Sequence, residues 1–437
     1  MSIPLDRLYH YIEGVAEDVH GDDILIYRFY PHGSKNLDDL NCLSFPVNSS
    51  KHESVPQMYC NDQEPLNYSL YEGTKPPITQ IEKMVAGAGF SLPDSNLRKQ
   101  SLTNLYDRAL LLHSERRSSN LEQYSANGFI PVYYWSHAVI ALDWFRYAEH
   151  ITQQKRVKKA FLVYNRAWSG TREYRLGFAD SIIRQGMVDQ CQMTCNPVDS
   201  ELDKHYDLHH FENKHWRPGN VIEDYFPITD ATSNYSADFT IEDYESTDIE
   251  IVLETLFDDQ RWHLTEKTLR PIALGQPFIL AATPGSLKYL RSYGFRTFSE
   301  LWDESYDMMT DSQERMNKIT EVMKKISQWT PKEKIKKMSL ARLIADYNRQ
   351  HFFSKEFLQQ VENELRTNLA TALGELEVTN TSQQFIERRK QYAQNSELKA
   401  VLTGTNIHPA DARGRQDIVQ VLAKARGYYM RSLKHTT

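Results

Sequence analysis

The sequence has few cysteines and no long apolar run. Its 437 residues include only four cysteines, at positions 42, 60, 191 and 195, too few in so long a chain for a disulfide framework. Cys191 and Cys195 form a C-x3-C spacing without a second pair, so ordinary thiols are a more common interpretation than a metal site. No stretch approaches the roughly 18 apolar residues of a membrane span. The beginning, MSIPLDRLYHYIEG, lacks the basic-then-apolar pattern of a secretory signal. We therefore expect a cytoplasmic protein without a membrane span.

The sequence has no overall excess of positive charge. The net charge is −7, but residues 311–437 hold 22 Lys and Arg against 14 Asp and Glu, so the rest of the chain carries −15. This distribution argues against a protein that simply coats nucleic acid, although a localised anionic partner is compatible with it. For each basic residue taken alone, a solvated helical surface is the simpler interpretation.

Strand-like and helix-like segments alternate over the first 310 residues, which predicts an α/β fold with mostly parallel sheets. Helices are expected after Ser136, over 171–185, over 265–274 and through most of the chain beyond Asp311. Buried strands are expected at 22–31, 55–62, 107–115, just after Gly128, and at 160–165, 249–257 and 277–281. A basic stretch at 153–159 marks a boundary. The pattern predicts domains at 1–155 and 156–310, and a helical region at 311–437 that in part packs back on the first domain.

Ligands of parallel sheets bind outside the carboxyl ends of the strands, so the residues that follow strands are the candidate site residues. In the first half these are acidic groups, a histidine and their neighbours: Asp62, Glu64, Glu115, Trp135, Ser136 and His137. In the second half they are mostly basic or amide groups: Asn165, Arg166, Arg172, Thr265, Glu266 and Lys267. An anionic ligand would prefer the second half, and a proton-abstracting carboxylate would come from the first.

Two segments of the second half fit a phosphate ligand. Arg172 lies near a predicted helix start, where free N–H groups and the helix dipole favour anions; a surface pair with Glu173 or Asp180 is the alternative. Lys267 opposes the dipole of its own helix, unless an anion is shared between its ammonium and the helix N-terminus. Glu266 can accept hydrogen bonds from vicinal hydroxyls such as those of ribose. A simple capping role is the alternative for this pair.

The segment LTEKTLRPIALGQPFIL resembles the nucleotide-sugar motif of the alpha-1,3-fucosyltransferase family, whose members have the GT-B fold of two Rossmann-like domains facing across a cleft. The resemblance implies that Glu266 holds the ribose and Lys267 the donor phosphate. FLVYNRAWSGTREYR is similar to the start of that family's donor half, which would make Arg172 a diphosphate ligand. MYCNDQEPLN is similar to the acceptor-side loop that carries the base, which indicates Asp62, with Glu64 as the alternative. NRAWSGTR departs from the proline-rich form of the donor loop and leaves the specificity for base and sugar open.

The chain also resembles uncharacterised viral proteins, often from bacteriophages. The shared motifs are D-Q-E-P, H-S-E, S-H-A, N-R, T-E-K and G-F-x-T-F, found here in this order between about residues 20 and 310. Phages of the T-even type glycosylate hydroxymethylated cytosine in their own DNA. The resemblance therefore implies a glycosyltransferase with a nucleoside-diphosphate-sugar donor, UDP-linked rather than GDP-linked, and double-stranded DNA bearing 5-hydroxymethylcytosine as partner.

In the expected reaction a carboxylate of the first half deprotonates the acceptor hydroxyl, while Arg172 and Lys267 stabilise the leaving diphosphate. No metal and no further cofactor is expected, since no D-x-D motif stands in a suitable place; inversion at the sugar follows from the resemblance alone. Trp135, Trp144 and Trp168 are candidates for stacking on a flipped base or, more commonly, for the core. Two alternatives are a transferase for a surface glycan or lipid-linked acceptor, with 331–349 as a membrane-facing helix, and a binding protein that keeps only the fold.

Overall fold

The computed structural model describes residues 5–20, 25–29, 40–42, 56–66, 109–126, 128–199, 202–226 and 236–380. The chain forms two compact units. The first unit comprises Ile3–Ser136 with Val361–Thr437, and the second comprises Met1–Ser2 with His137–Gln360. The domains expected at 1–155, 156–310 and 311–437 stay predictions beside these units.

The first unit contains a five-stranded sheet in the order β2-β1-β3-β4-β5. Its strands are β1 (Leu25–Phe29), β2 (Leu40–Cys42), β3 (Gln57–Asn61), β4 (Ala109–His113) and β5 (Phe129–Tyr133). β2 runs antiparallel to β1, and the other pairs are parallel. The interior strand β4, ALLLH, is buried along its whole length, as expected for a parallel strand covered on both faces.

Helices α1 (Leu5–His20) and α2 (Asn120–Ala126) lie in the first unit, and α3 (Ser136–Trp144) begins at its last residue before Val361 and belongs to the second unit from His137 onward. The sequence analysis did not identify α1, α2 or the short edge strand β2. It did identify the other four strands and the helix that begins at Ser136, because continuous apolar runs and a polar helix start mark them.

The second unit contains a four-stranded, all-parallel sheet in the order β11-β10-β6-β7. Its strands are β6 (Lys159–Asn165), β7 (Cys191–Cys195), β10 (Thr247–Leu253) and β11 (Phe278–Ala281); β8 (Val198–Asp199) and β9 (Lys204–His205) form a separate antiparallel pair. Every residue of β10 is buried, which makes it the centre of the core. The mixed α/β fold with parallel sheets is confirmed.

Helices of the second unit follow its strands in the chain. They are α4 (Tyr174–Arg184), α5 (Ile241–Ser246), α6 (Glu266–Leu274), α7 (Ser286–Ser292), α8 (Ser312–Ser327) and α9 (Pro331–Phe352). Helix α6 ends at Gly275, whose φ of 65° is the left-handed conformation that glycine adopts without strain. A Thr330–Glu333 capping box starts α9.

The last described helix, α10 (Lys355–Asn380), belongs to the first unit from Val361 onward. Asn368 donates a hydrogen bond of 2.7 Å to the carbonyl of Tyr133 at the end of β5. Arg366 forms a 2.9 Å ion pair with Asp18 of α1. The expectation of a helical region beyond residue 311 is confirmed through Asn380, and the last residues lie outside the described part of the chain. No described helix is both long and apolar enough to span a bilayer.

Candidate functional site

The side chain of Glu254, the residue immediately after β10, is held by four hydrogen bonds. Its side chain is fully buried. Oε1 accepts hydrogen bonds from the Thr265 N–H (2.9 Å) and the Thr268 hydroxyl (2.5 Å). Oε2 accepts from the Thr265 hydroxyl (2.8 Å) and the Thr255 N–H (3.0 Å). Glu254 therefore fixes the first turn of α6 against the carboxyl end of the central strand.

Helix α6 begins at the segment that the sequence analysis singled out. Thr265 is its N-cap, and the Thr265 hydroxyl accepts from the Lys267 N–H at 3.3 Å. Glu266 and Lys267 occupy the first turn, where backbone N–H groups have no partner inside the helix. The predicted helix start is thus confirmed, with Thr265 as the cap.

The Lys267 ammonium has its counter-charge beside it. Its Nζ lies 2.8 Å from Glu266 Oε1 and 3.4 Å from the hydroxyl oxygens of Thr255 and Thr265. The hydroxyl of Ser236 donates to the same Glu266 oxygen. Lys267 itself is half-buried. Its position at the positive end of a helix is therefore balanced by a carboxylate within hydrogen-bond distance.

His137 lies on the other side of Glu266, with Nδ1 3.2 Å from Oε2. Burial by itself would raise the pKa of Glu266, but Lys267 and His137 outweigh it and hold this pKa well below its usual value. Burial by itself would lower the pKa of His137, yet the contact with Glu266 raises it. At neutral pH the Glu266 carboxylate is therefore an anion that lies between the basic side chains of Lys267 and His137.

The structure places His137 beside Glu266. His137 was predicted among the candidate site residues of the first half. It belongs to the second unit and pairs with Glu266, because α3 carries it past the limit between the units at Ser136. The structure thus adds His137 to the group that contains Glu266 and Lys267.

A second histidine, His263, completes this group and was missed by the sequence analysis. Its ring packs edge-on against that of His137, with centroids 5.1 Å apart. Burial, together with the charges of His137, Arg261 and Lys267, lowers the pKa of His263 well below its usual value, so the ring is neutral. Its position two residues before a helix cap was the one available sequence signal.

The other predicted donor residues lie around β6 and α4. Asn165 is buried at the end of β6 and donates to Cys195 Sγ at 3.2 Å. Arg166 and Arg172 are half-buried. Arg172 ends a short 3-10 turn ahead of α4, and its Nε donates to the carbonyl of Ser169 at 3.2 Å.

Arg175 is the fully buried arginine of this segment, and the sequence analysis did not identify it. It donates to the carbonyls of Ala167 (2.7 Å), Leu253 (2.8 Å) and Glu254 (3.1 Å). It therefore ties the loop after β6 to the end of β10, a supporting role beneath the group around Glu266.

The predicted acceptor residues of the first unit lie at the carboxyl ends of β3, β4 and β5. Asp62 is 1% exposed; the Tyr134 hydroxyl donates to its Oδ2, and the Ser136 hydroxyl to its carbonyl. Glu115 is also buried, and its Oε1 accepts from the Leu66 N–H at 2.6 Å. The hydrogen bonds of Asp62, Glu115 and Ser136 thus join the segments that follow these strands at one edge of the sheet.

Glu64 differs from Asp62 and Glu115 because it is half-exposed. Trp135 and Trp168 are buried, whereas Trp144 is half-buried. Burial of the first two indole rings favours the core interpretation over stacking on a base. Among the carboxylates predicted for the acceptor half, Glu64 is therefore the one with access to solvent.

The two cysteines of the C-x3-C spacing lie on β7. Positions four apart on a strand face the same side, and Cys191 and Cys195 are both buried. Burial raises the pKa of each thiol to about 12, so both are neutral. Within the described residues, no three or more His, Cys, Asp and Glu side chains are grouped as metal ligands. These thiols are core residues.

Comparison with known proteins returned no match: no protein-family model, curated protein or solved structure corresponds to this chain. The site is therefore interpreted from its own geometry. Its main features are a helix N-terminus at the end of a central parallel strand, an ammonium, a carboxylate and two histidines.

Proposed function

We propose that this protein is a nucleotide-sugar-dependent glycosyltransferase that binds the diphosphate of its donor at the N-terminus of α6. One observation carries the proposal: Glu266 and Lys267 lie in the first turn of a helix that Glu254 anchors to the carboxyl end of β10. In open parallel sheets this is the edge at which nucleotides bind. The positive end of the helix dipole and the Lys267 ammonium are both suited to phosphate oxygens.

Glu266 is suited to the ribose of the same ligand. Its Oε1 already accepts from Lys267 and Ser236, whereas Oε2 faces His137. A carboxylate accepts about four hydrogen bonds, so Oε2 retains capacity for a ribose hydroxyl. Because its cationic neighbours keep Glu266 ionised, the acceptor is present over the whole neutral range.

In the proposed reaction the acceptor oxygen attacks the anomeric carbon as the bond from that carbon to the donor phosphate breaks. The electron pair leaves with the diphosphate, where Lys267 and the helix N-terminus stabilise the added charge. The proton of the acceptor hydroxyl goes to a carboxylate of the first unit. Glu64 is favoured by its exposure, while Asp62 is already bonded to Tyr134.

We further propose that the first and second units are the acceptor and donor halves of a GT-B enzyme, and that the acceptor is 5-hydroxymethylcytosine in DNA. Supporting this are the order of phage-like motifs and the positive charge of the C-terminal third. Contacts to DNA phosphates would make binding strongly dependent on salt.

A lipid-linked or surface-glycan acceptor is the second candidate, and one feature of α9 favours it. Ile335 and Leu343 are 71% and 66% exposed, beside the exposed lysines Lys332 and Lys336. Apolar side chains flanked by lysines are typical of helices that lie on anionic membranes. Co-sedimentation with anionic vesicles would support this candidate, and absence of binding would favour DNA.

Calorimetric titration with UDP tests the donor site. Lys267→Met keeps the apolar stem and removes the charge, so the loss of one charge-assisted hydrogen bond, about 1.5–3 kcal/mol, should weaken UDP roughly 10- to 100-fold. Lys325→Met is the matched control, since this lysine of α8 is 61% exposed and pairs with Glu321. Equal affinities of wild type and Lys267→Met for UDP would contradict the proposal.

A further inference from the structure

His263 is a buried polar side chain beside the proposed phosphate site. It is 2% exposed. Neither of its ring nitrogens has a hydrogen-bond partner among the residues that the structure describes. A neutral imidazole carries one N–H donor and one acceptor nitrogen, and leaving both unpaired in the interior is costly. Such an orphaned group calls for a functional explanation.

The segment around His263 is held rigidly. Trp262 Nε1 donates to the carbonyl of Pro284 at 2.8 Å, and Gly285 lies directly against the Trp262 ring. On the other side, Thr265 is fixed by two hydrogen bonds to Glu254. The His263 ring is thus preorganised, as ligand-contacting groups in binding sites generally are.

Three basic side chains lie near His263. His137, Arg261 and Lys267 act on the ring as cations, with Glu266 as the opposing anion. Arg261 is largely neutralised by its ion pair with Asp259 at 2.6 Å. This leaves the ammonium of Lys267 and the imidazole of His137 as the basic groups, opposed by the carboxylates of Glu266 and Glu254.

We propose that His263 contacts the donor directly and donates an N–H hydrogen bond to a phosphoryl oxygen of the bound nucleoside diphosphate. This inference rests on the proposed function, and it adds a neutral donor to the ammonium of Lys267 and the positive end of the α6 dipole. A neutral donor suits a site that must release a diphosphate after transfer, because it binds phosphate less tightly than a second cation would.

The test is His263→Phe, which keeps the ring and its edge contact with His137 but removes both nitrogens. UDP and pyrophosphate are titrated calorimetrically into wild type and variant. We expect the affinity for both probes to fall at least tenfold, while the unfolding midpoint without ligand is unchanged or higher, because an unpaired buried polar group has been removed.

His351→Phe is the matched control. This ring is also partly buried, but its Nε2 donates to the carbonyl of Tyr293 at 2.6 Å. Removing that partner should lower the unfolding midpoint and leave the affinity for UDP unchanged. The two histidine variants therefore have opposite expected signatures.

The outcomes separate this inference from the proposed function. If wild type binds UDP and His263→Phe binds it equally well, the His263 contact is wrong. If folded wild type binds neither UDP, GDP nor pyrophosphate, the proposed donor site is wrong as well. Should the variant not fold, ¹⁵N spectra of the wild-type imidazole decide: a shift of the His263 nitrogens on UDP addition supports the contact, and its absence overturns it.

Discussion

Replacing Glu254 by glutamine should destabilise the second unit, and the size of the effect follows from its hydrogen bonds. Each carboxylate oxygen accepts from one backbone N–H and one threonine hydroxyl. When an NH₂ group replaces either oxygen, the hydroxyl can rotate and accept, but the N–H of Thr255 or Thr265 cannot. One buried N–H is then left without an acceptor, at a cost of about 1–3 kcal/mol, and the remaining bonds lose their charge assistance.

The total for Glu254→Gln is about 2–4 kcal/mol, which should lower the melting temperature by roughly 5–10 °C for a unit of about 200 residues. Differential scanning calorimetry of the purified protein measures this shift. Glu321→Gln is the control, since Glu321 is about half-exposed on α8 and pairs only with surface lysines; its effect should stay within about 0.5 kcal/mol. A melting temperature of Glu254→Gln within about 1 °C of wild type would refute the anchoring role of Glu254.

Three further substitutions test the surroundings of the site. Gly285→Ala should destabilise by at least about 1–2 kcal/mol, because Gly285 has a φ of 84° and an added Cβ would lie 2.9 Å from the Trp262 ring; urea unfolding with a normal midpoint would contradict this. Arg270→Met leaves the buried Glu250 without its 2.5 Å ion pair and should cost about 3–5 kcal/mol, again measured in urea. Despite burial, the cationic neighbours of Glu266 hold its pKa below the unfolded value, so its stabilisation is full above about pH 5 and is lost as the pH falls. The difference in melting temperature between wild type and Glu266→Gln should therefore shrink on acidification, and a difference independent of pH would contradict the shift.

Much of the fold could be predicted from apolar patterning. Continuous apolar runs marked β3, β4, β6, β10 and β11, and the run beyond residue 311 marked the C-terminal helices. The edge strand β2 is too short to show a pattern. β7, with the sequence CQMTC, alternates buried and half-buried residues. It was not predicted as a strand, because its two cysteines were considered only as possible metal ligands or thiols.

The candidate site was predictable only where polar residues mark a helix start. The order Thr265, Glu266, Lys267 in the sequence predicts the start of α6, and the structure has Thr265 as the N-cap and the other two residues in the first turn. The role of Glu254 was not predicted because it lies within the apolar run IEIVLETLF. Nothing in the local sequence distinguishes a buried acid from one that faces solvent. His137 follows a predicted strand of the first half, and its place in the second unit depends on long-range packing, which periodicity does not reveal.

Incubation with DNA containing 5-hydroxymethylcytosine, with a panel of UDP- and GDP-sugars as donors, tests the central claim most directly. After digestion to nucleosides, mass spectrometry should show the modified cytosine gaining the mass of one hexosyl or pentosyl group with at least one donor. That gain should be strongly reduced for Lys267→Met and retained for Lys325→Met. No gain with any donor, from protein that binds UDP, would contradict DNA as the acceptor. Transfer by Lys267→Met at the wild-type rate would contradict the donor site at the start of α6.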